Sequence, residues 1–140
     1  MKSKLTIGNH HTDARGTLIY NNDLDVSEVR RIYFIENNSM AFARGWQGHK
    51  IEQRWFAAIR GSFLIRIIAI DDWDTPTVTL NQEIFTLKTE DFMVLHVPEG
   101  YVSSIQALEE NSKLMVMADY KIGEIQDEYR FLANYFQDNQ

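Results

Sequence analysis

Residues 44–70 read RGWQGHKIEQRWFAAIRGSFLIRIIAI, and this stretch decides the fold. From Phe63 onward every second residue is apolar, and a period of two is that of a β-strand. Gly61 separates this strand, Ser62–Ala69, from the apolar run before it, and a glycine between two such runs indicates a hairpin turn. Both faces of Ser62–Ala69 are fairly apolar, which is typical of a strand enclosed between two layers.

Similar short segments run along the rest of the chain. They are rich in Val, Ile, Phe, Tyr and Thr and are separated by turn-forming residues, which is the pattern of β-strands. The predicted strands are Thr17–Asn21, Val29–Glu36, Arg54–Arg60, Ser62–Ala69, Thr77–Leu80, Glu83–Leu87, Phe92–Val97, Val102–Leu108 and Lys113–Asp119. So many short strands predict an all-β sandwich or barrel, with residues 1–140 forming one domain.

One segment has a helical pattern. Apolar residues near the C-terminus fall at the spacing i, i+4, i+7 and i+11, which places them on one face of a helix. They are Ile125, Tyr129, Leu132 and Phe136. The sequence therefore predicts a short C-terminal amphipathic helix that lies on the body of the domain.

The composition excludes several classes of protein. With 44% hydrophobic and 12% aromatic residues, a chain of 140 residues can bury a core and is not expected to be disordered. Cysteine is absent, so disulfides, thiolate metal sites and a cysteine nucleophile are excluded. The net charge of −6 argues against a nucleic-acid partner, although a few gathered arginines can still bind phosphates. We expect neither a secretory signal nor a transmembrane helix, and hence a cytoplasmic protein without a membrane partner.

The quoted stretch resembles the first motif of the cupin superfamily. Its spacing places Gln47, His49 and Arg54 where that motif has two histidines and a glutamate. A second stretch, Pro98-Glu99-Gly100, followed by Ser103, resembles the second cupin motif, whose histidine is here the serine. The resemblance implies a cupin fold, which is an RmlC-like jelly roll or double-stranded β-helix.

The residues at these positions do not suit a metal. A metallocupin uses three histidines and a glutamate, whereas this chain keeps one imidazole and puts a guanidinium in the place of the carboxylate. Arginine is a permanent cation without an acceptor atom and cannot ligate a dication. We therefore expect no bound metal, and a metallocupin dioxygenase or storage-type cupin is the least favoured class.

A narrower resemblance covers nearly the whole chain. The order Arg44-Gly45-Trp46-Gln47-Gly48-His49-Lys50 is similar to the Arg-Gly-x-His-x-His-Lys element of certain cupin enzymes. Further similar elements are Asp13–Leu18, Arg31–Tyr33, Gly61-Ser62, Pro98–Tyr101, Ala107–Leu114, Ala118–Tyr120 and Asp127–Phe131. The chain resembles the dTDP-4-dehydrorhamnose 3,5-epimerases and the WxcM-like dTDP-sugar 3,4-ketoisomerases, which act on nucleotide-linked 4-keto-6-deoxy sugars.

The resemblance implies roles for individual residues. His49 would be the base and Tyr33 the acid or oxyanion partner, while Arg44 and Arg54 would hold the diphosphate or polarise the ketone. The remaining expected substrate-binding residues are Trp46, which could stack on the base or sugar, Gln47, which would orient hydroxyls, Lys50 and Ser103. Five of these residues have a structural alternative: a half-buried strand histidine at 49, a solvated edge residue at 54, a surface ion pair at 44, a core side chain at 33 and an interface residue at 46.

Two functions remain open from the sequence. The first is a metal-independent isomerase or epimerase that needs no cofactor and acts on a nucleotide sugar, most simply a dTDP sugar, in the supply of deoxysugars for surface polysaccharide. The second is a binding protein on the same scaffold, because Gln47 stands where the family has its catalytic histidine and an amide cannot take up a proton near neutral pH. The resemblance also implies a homodimer.

Overall fold

The computed structural model describes residues 2–138, and none of them is helical. In chain order the strands are β1 (Lys4–Thr6), β2 (Asn9–Asp13), β3 (Gly16–Tyr20), β4 (Arg31–Ile35), β5 (Ala43–His49), β6 (Arg54–Arg60), β7 (Ser62–Ala69), β8 (Glu83–Lys88), β9 (Val94–Val97), β10 (Tyr101–Ala107), β11 (Lys113–Ala118) and β12 (Tyr129–Arg130). The described residues include no helix that is long and apolar enough to cross a membrane.

Ten of these strands form two five-stranded sheets. Sheet 1 has the order β1-β9-β6-β11-β4, and sheet 2 has the order β12-β5-β10-β7-β8. Strands β2 and β3 form a separate hairpin. The paired strands are antiparallel, and neighbours in the sheets are mostly distant in sequence, as crossing connections between two sheets require.

The two sheets share one apolar core. Alternate residues of β7, such as Phe63 and Ile65, are fully buried on the inner face of sheet 2. They pack in one cluster with Phe56, Leu95 and Leu114 of sheet 1. Burying such a side chain contributes about 1.5–3 kcal/mol, so this interior is the main source of stability. The predicted all-β class is confirmed.

The turn expected at Gly61 is present, but the hairpin is not: β6 pairs within sheet 1 and β7 within sheet 2, so the two strands do not pair with each other. The residue at the turn has to be glycine. Its φ is 71°, a conformation that residues with a Cβ rarely adopt. A Cβ at this position would also collide with the Ser112 hydroxyl. At this turn the chain therefore crosses from β6 in sheet 1 to β7 in sheet 2.

One predicted strand and the predicted helix are wrong. Thr77–Leu80 is a turn, because the Asp71 carboxylate accepts hydrogen bonds from both the amide and the hydroxyl of Thr77 and closes the loop. The C-terminal stripe is extended and irregular: β12 pairs with β5, and Phe131 and Trp46 exchange two backbone hydrogen bonds of 3.0 and 3.3 Å. Pairing with a sheet edge overrides the helical spacing there.

Candidate active site

A small cavity lies between the two sheets and gathers most of the polar residues that the sequence singled out. Its volume is about 60 Å³. It is lined by Tyr33, Ile35, Arg44, Gln47, His49, Arg54, Phe56, Ser103 and Ile105. An outer cavity of about 210 Å³ shares four of these residues and adds the segment 121–128, so the two form one path. A larger cavity of about 480 Å³ at residues 36–41 and 107–112 is lined by no histidine or arginine among the described residues.

A bulge in β5 brings Arg44 into this site. The register with β10 shifts between Ser103, which lies opposite Gln47, and Ile105, which lies opposite Arg44. Strict alternation would place Arg44 on the outer face with Trp46, whereas the extra residue in the bulge turns it inward beside Gln47. The predicted gathering of Arg44 with the cavity residues is thus produced by a local irregularity of the strand.

His49 is held by contacts on both ring nitrogens. Its Nδ1 lies 2.9 Å from the backbone carbonyl of Asp127 and 3.2 Å from a carboxylate oxygen of Glu52. Its Nε2 lies 2.6 Å from Nη2 of Arg54. Because Nδ1 faces two acceptors and Nε2 faces a donor, the proton belongs on Nδ1 and the free electron pair on Nε2.

The surroundings keep His49 uncharged. Burial lowers its pKa from 6.5 to about 4, and the neighbouring Arg54 charge acts in the same direction. The contact with the Asp127 carbonyl and the charges of Asp127 and Glu128 oppose the shift. At neutral pH the ring is therefore a neutral imidazole with its acceptor nitrogen directed at a guanidinium.

Arg54 is the central cation of the site. Its Nη2 donates to Glu52 at 2.9 Å as well as to His49, and only 10% of its side chain is exposed. The other nitrogen, Nη1, is buried and has no hydrogen-bond partner among the described residues. An unpaired buried donor costs free energy, so an oxygen acceptor that reached this nitrogen would be favoured.

Glu52 balances the cations around it. One of its oxygens accepts from Arg54, and the other lies 3.5 Å from Nη1 of Arg31. Burial raises the pKa of Glu52, while the two guanidinium charges counter that effect. The arginine side chains also lie over the Tyr33 ring, with the guanidinium carbons of Arg31 and Arg54 at 5.2 and 5.9 Å from its centroid.

The C-terminal segment fastens the turn that carries these groups. The Asp127 carboxylate accepts hydrogen bonds of 2.8–2.9 Å from the backbone amides of Lys50, Ile51 and Glu52. Since the carbonyl of Asp127 also accepts from His49, one residue fixes both the turn after β5 and the imidazole.

Gln47 is also paired with this segment. Its amide donates to the Glu128 carboxylate at 2.6 Å. The same carboxylate accepts from Arg130, and this bond is the main reason that the pKa of Glu128 is lowered. The residue in the place of the family's histidine is therefore tied to an anionic group that the sequence did not single out as a site residue.

Two predicted site residues lie elsewhere. Trp46 points outward from β5, where it is 5% exposed and packs against Ile68, Val102 and Phe136. It belongs to an aromatic layer on the outer face of sheet 2, so its position does not support the expected stacking on a ligand. Lys50 is exposed just past the end of β5 and is not among the described residues that line either cavity.

Four residues of the site were missed by the sequence reasoning: Arg31, Glu52, Asp127 and Glu128. Arg31, Asp127 and Glu128 did occur in elements quoted for their resemblance, but no role was given to them. Nothing in the local spacing indicates that Asp127 and Glu128 return to β5, because those contacts join residues 77 and 81 positions apart.

The donor set does not fit a metal ion. Donor atoms of His49, Glu52 and Asp127 lie within 4.8 Å of one another, which is close enough for a shared cation. However, the Asp127 carboxylate is already used by three backbone amides, and the guanidinium of Arg54 contacts both of the other side chains. A fixed positive charge in that position opposes a dication.

Comparison with known proteins places this site in a family. The family model described as FdtA, WxcM-like, C-terminal, matches residues 1–137. The chain belongs to the FdtA family. This confirms the resemblance drawn from the stretch 44–50 and the smaller elements around it. No curated protein matches the sequence significantly.

Solved structures share the fold of this chain at low sequence identity. A histidine-to-asparagine mutant of the 3,4-ketoisomerase QdtA from Thermoanaerobacterium thermosaccharolyticum, in complex with TDP-4-keto-6-deoxyglucose, has a TM-score of 0.71 and 20% identity, over 96% of this chain and 91% of that one. The WlaRB TDP-quinovose 3,4-ketoisomerase from Campylobacter jejuni gives 0.68 and 20%, over 97% and 98%. The RmlC epimerase of Mycobacterium tuberculosis gives 0.77 and 18%, over 97% and 73%. The predicted RmlC-like cupin fold is confirmed.

Proposed function

We propose that the protein is a metal-independent isomerase or epimerase of a nucleotide-linked 4-keto-6-deoxy sugar. The observation that carries the proposal is the neutral imidazole of His49 in contact with Arg54. Both residues line a cavity between the sheets, and Nη1 of Arg54 has no hydrogen-bond partner among the described residues. Support comes from the FdtA family match and from a similar fold crystallised with TDP-4-keto-6-deoxyglucose.

The chemistry needs a base, an oxyanion donor and an acid. Nε2 of His49 removes the proton from the carbon beside the ketone, and the electrons of that C–H bond form a C=C bond while those of the C=O bond move to oxygen. Arg54 stabilises the resulting negative charge, and the Tyr33 hydroxyl supplies a proton to it. The imidazolium then returns its proton to carbon.

The carbon that receives the proton decides the reaction. Return to the carbon that bore the ketone, with loss of the neighbouring hydroxyl proton to Tyr33, moves the keto group from C4 to C3. Inversion of the original carbon instead needs a second acid on its other face: Tyr33 would give its hydroxyl proton to that carbon, and the proton left on His49 would return through solvent to Tyr33. Either outcome conserves all atoms and needs no redox cofactor.

The other cavity residues would bind the substrate. Arg44 is the second guanidinium of the inner cavity and suits a diphosphate or a sugar oxygen. Gln47 and Ser103 lie opposite each other on β5 and β10 and would orient sugar hydroxyls. Lys50 lies outside both cavities, and we assign it only to the approach of the anionic nucleotide.

A binding protein without turnover is the second candidate. It is favoured by Gln47, whose amide is engaged by Glu128 and cannot act as a base, and by the low pKa of His49. A protein of this kind would bind TDP sugars tightly and leave them unchanged.

The test separates binding from turnover. TDP binding is measured by calorimetry, and TDP-4-keto-6-deoxyglucose incubated with the protein is followed by proton NMR. Migration of the keto group or inversion at C3 or C5 supports the isomerase. Binding with an unchanged substrate supports the second candidate, and the absence of binding contradicts both.

We further propose that residues 1–140 act as one cupin domain in a homodimer that supplies deoxysugars for surface polysaccharide in the cytoplasm. The shared core supports the single domain. Strand β4 lies at an edge of sheet 1 and exposes Ile32 and Phe34 by 57% and 55%, which suits pairing with a second copy.

Light scattering tests the dimer. We expect the mass of two chains, and we expect Phe34→Asp to shift the protein towards a single chain. Leu132→Asp, at a site that is 75% exposed, is the control and should keep the dimer. The mass of one chain in the unaltered protein would contradict the proposal.

A further inference from the structure

The contact between Arg54 and His49 creates a difficulty for the proposed chemistry. The base must offer Nε2 to a carbon-bound proton, but that nitrogen accepts a hydrogen bond of 2.6 Å from Nη2 of Arg54. The opposite nitrogen is held by the Asp127 carbonyl and by Glu52. The ring has no third acceptor position, so the ligand-free arrangement blocks proton transfer.

We propose that Arg54 is a ligand-operated cap on His49: its guanidinium covers Nε2 in the free protein, and a sugar oxygen of the bound nucleotide sugar draws it off and uncovers the base. This inference rests on the proposed function and deepens it, because Arg54 would both bind the sugar and control whether Nε2 of His49 is accessible.

The unpaired nitrogen of Arg54 would favour its displacement from His49 by a bound sugar. Nη1 is buried without a partner among residues 2–138, and a buried N–H that lacks an acceptor is destabilised. A carbonyl or hydroxyl oxygen of a sugar in the inner cavity would satisfy it. The hydrogen bond gained at Nη1 then compensates for the one lost between Nη2 and His49.

The small volume of the inner cavity also requires Arg54 to move when a sugar binds. The inner cavity holds only about 60 Å³, whereas cavities for drug-sized ligands are about 300–1,000 Å³. A hexose ring cannot enter unless a lining side chain moves. The Arg54 guanidinium can rotate while it keeps its hydrogen bond to Glu52, because the Glu52 carboxylate also contacts Arg31 and is held in place.

The charges around His49 mean that withdrawal of Arg54 also raises the basicity of the imidazole. The groups that face it are Arg54 from β6, Glu52 from the turn, and Asp127 and Glu128 from the C-terminal segment. Only the first of these is a cation. When it withdraws, three carboxylates remain to favour the imidazolium, so the uncovered ring is also the stronger base.

The test reads the state of His49 directly. Imidazole NMR signals are titrated with pH in the free protein, with TDP and with TDP-glucose, whose hexose should enter the inner cavity without reacting. We expect the His49 pKa to rise by at least one unit with TDP-glucose and by much less with TDP. We expect the same rise in ligand-free Arg54→Gln.

Arg60→Gln on the same strand is the matched control, since the Arg60 side chain is 54% exposed and pairs with Glu36 away from the cavity. It should leave the His49 titration unchanged. The cap is overturned if TDP-glucose binds by calorimetry and His49 does not respond, or if Arg54→Gln leaves the free protein's titration as it was. Failure of TDP-glucose to bind, with His49 released in Arg54→Gln, would instead contradict the proposed function.

Discussion

At the scale of single residues, the proposed chemistry requires that His49 has one free electron pair and no charge. Its Nδ1 proton is fixed by the Asp127 carbonyl and by Glu52, and burial with the Arg54 charge disfavours protonation. The site therefore contains a neutral base at physiological pH, although it lacks the histidine that the family motif has at position 47.

Replacing His49 should abolish turnover while leaving binding in place. General-base catalysis contributes about 10²–10⁴-fold, so we expect His49→Gln to lower the rate on TDP-4-keto-6-deoxyglucose by at least 10²-fold. TDP affinity measured by calorimetry should change little. His10→Gln, at an exposed position whose imidazole contacts the Asp91 carboxylate far from the cavity residues, is the control. A His49→Gln protein that turns over at the normal rate would assign the base elsewhere.

The sequence predicted part of this site. His49 and Arg54 were found because the stretch 44–61 resembles the first cupin motif, and Tyr33 because Arg31–Tyr33 resembles a strand of the related enzymes. Glu52 and Asp127 do not follow, since their roles depend on a contact between distant segments. The spacing of residues in the sequence indicates which side chains share a face of one strand. It does not indicate which strand a distant loop will contact.

At the scale of elements, the segment 125–136 shows how a surface pattern can mislead. The spacing from Ile125 to Phe136 is helical, yet the backbone pairs with β5 and buries only some of those residues. Phe136 is 7% exposed and lies edge-on to Trp46 at 5.3 Å, whereas Leu132 is 75% exposed. By contrast, Arg54–Arg60 and Ser62–Ala69 were predicted with the observed bounds, because both are apolar-rich runs separated by Gly61, and most of their residues are buried.

Phe136 and Leu132 should therefore differ in their contribution to the free energy of unfolding. We expect Phe136→Ala to reduce the free energy of unfolding by about 3 kcal/mol, since it removes a buried ring, and Leu132→Ala to change it by less than about 0.5 kcal/mol. Urea titration of both variants measures this. Equal losses at the two positions would mean that the segment packs as the helix that its spacing suggested.

At the scale of the whole molecule, the buried imidazole links stability to pH. The unfolded chain takes up the His49 proton near pH 6.5, but the folded protein does so only near pH 4. Between these values the unfolded state binds more protons, so the contribution of His49 is complete above pH 6.5 and is lost as the pH falls through this window.

This gives a measurable difference between two proteins. The free energy of unfolding of the unaltered protein should fall with decreasing pH more steeply than that of His49→Gln, by up to about 1.4 kcal/mol per pH unit between pH 6.5 and 4. Urea unfolding at several pH values checks this, and the comparison cancels the carboxylates that titrate in the same range. Parallel curves would show that His49 is not held neutral.

The measurement that tests the central claim most directly is solvent-deuterium exchange into the substrate. TDP-4-keto-6-deoxyglucose is incubated with the protein in heavy water and analysed by mass spectrometry, with His49→Gln as the reference. We predict enzyme-dependent incorporation of deuterium at a carbon beside the ketone, and its loss in His49→Gln. Saturable binding of the sugar nucleotide without any incorporation would contradict an isomerase and leave a binding protein on the same cupin scaffold.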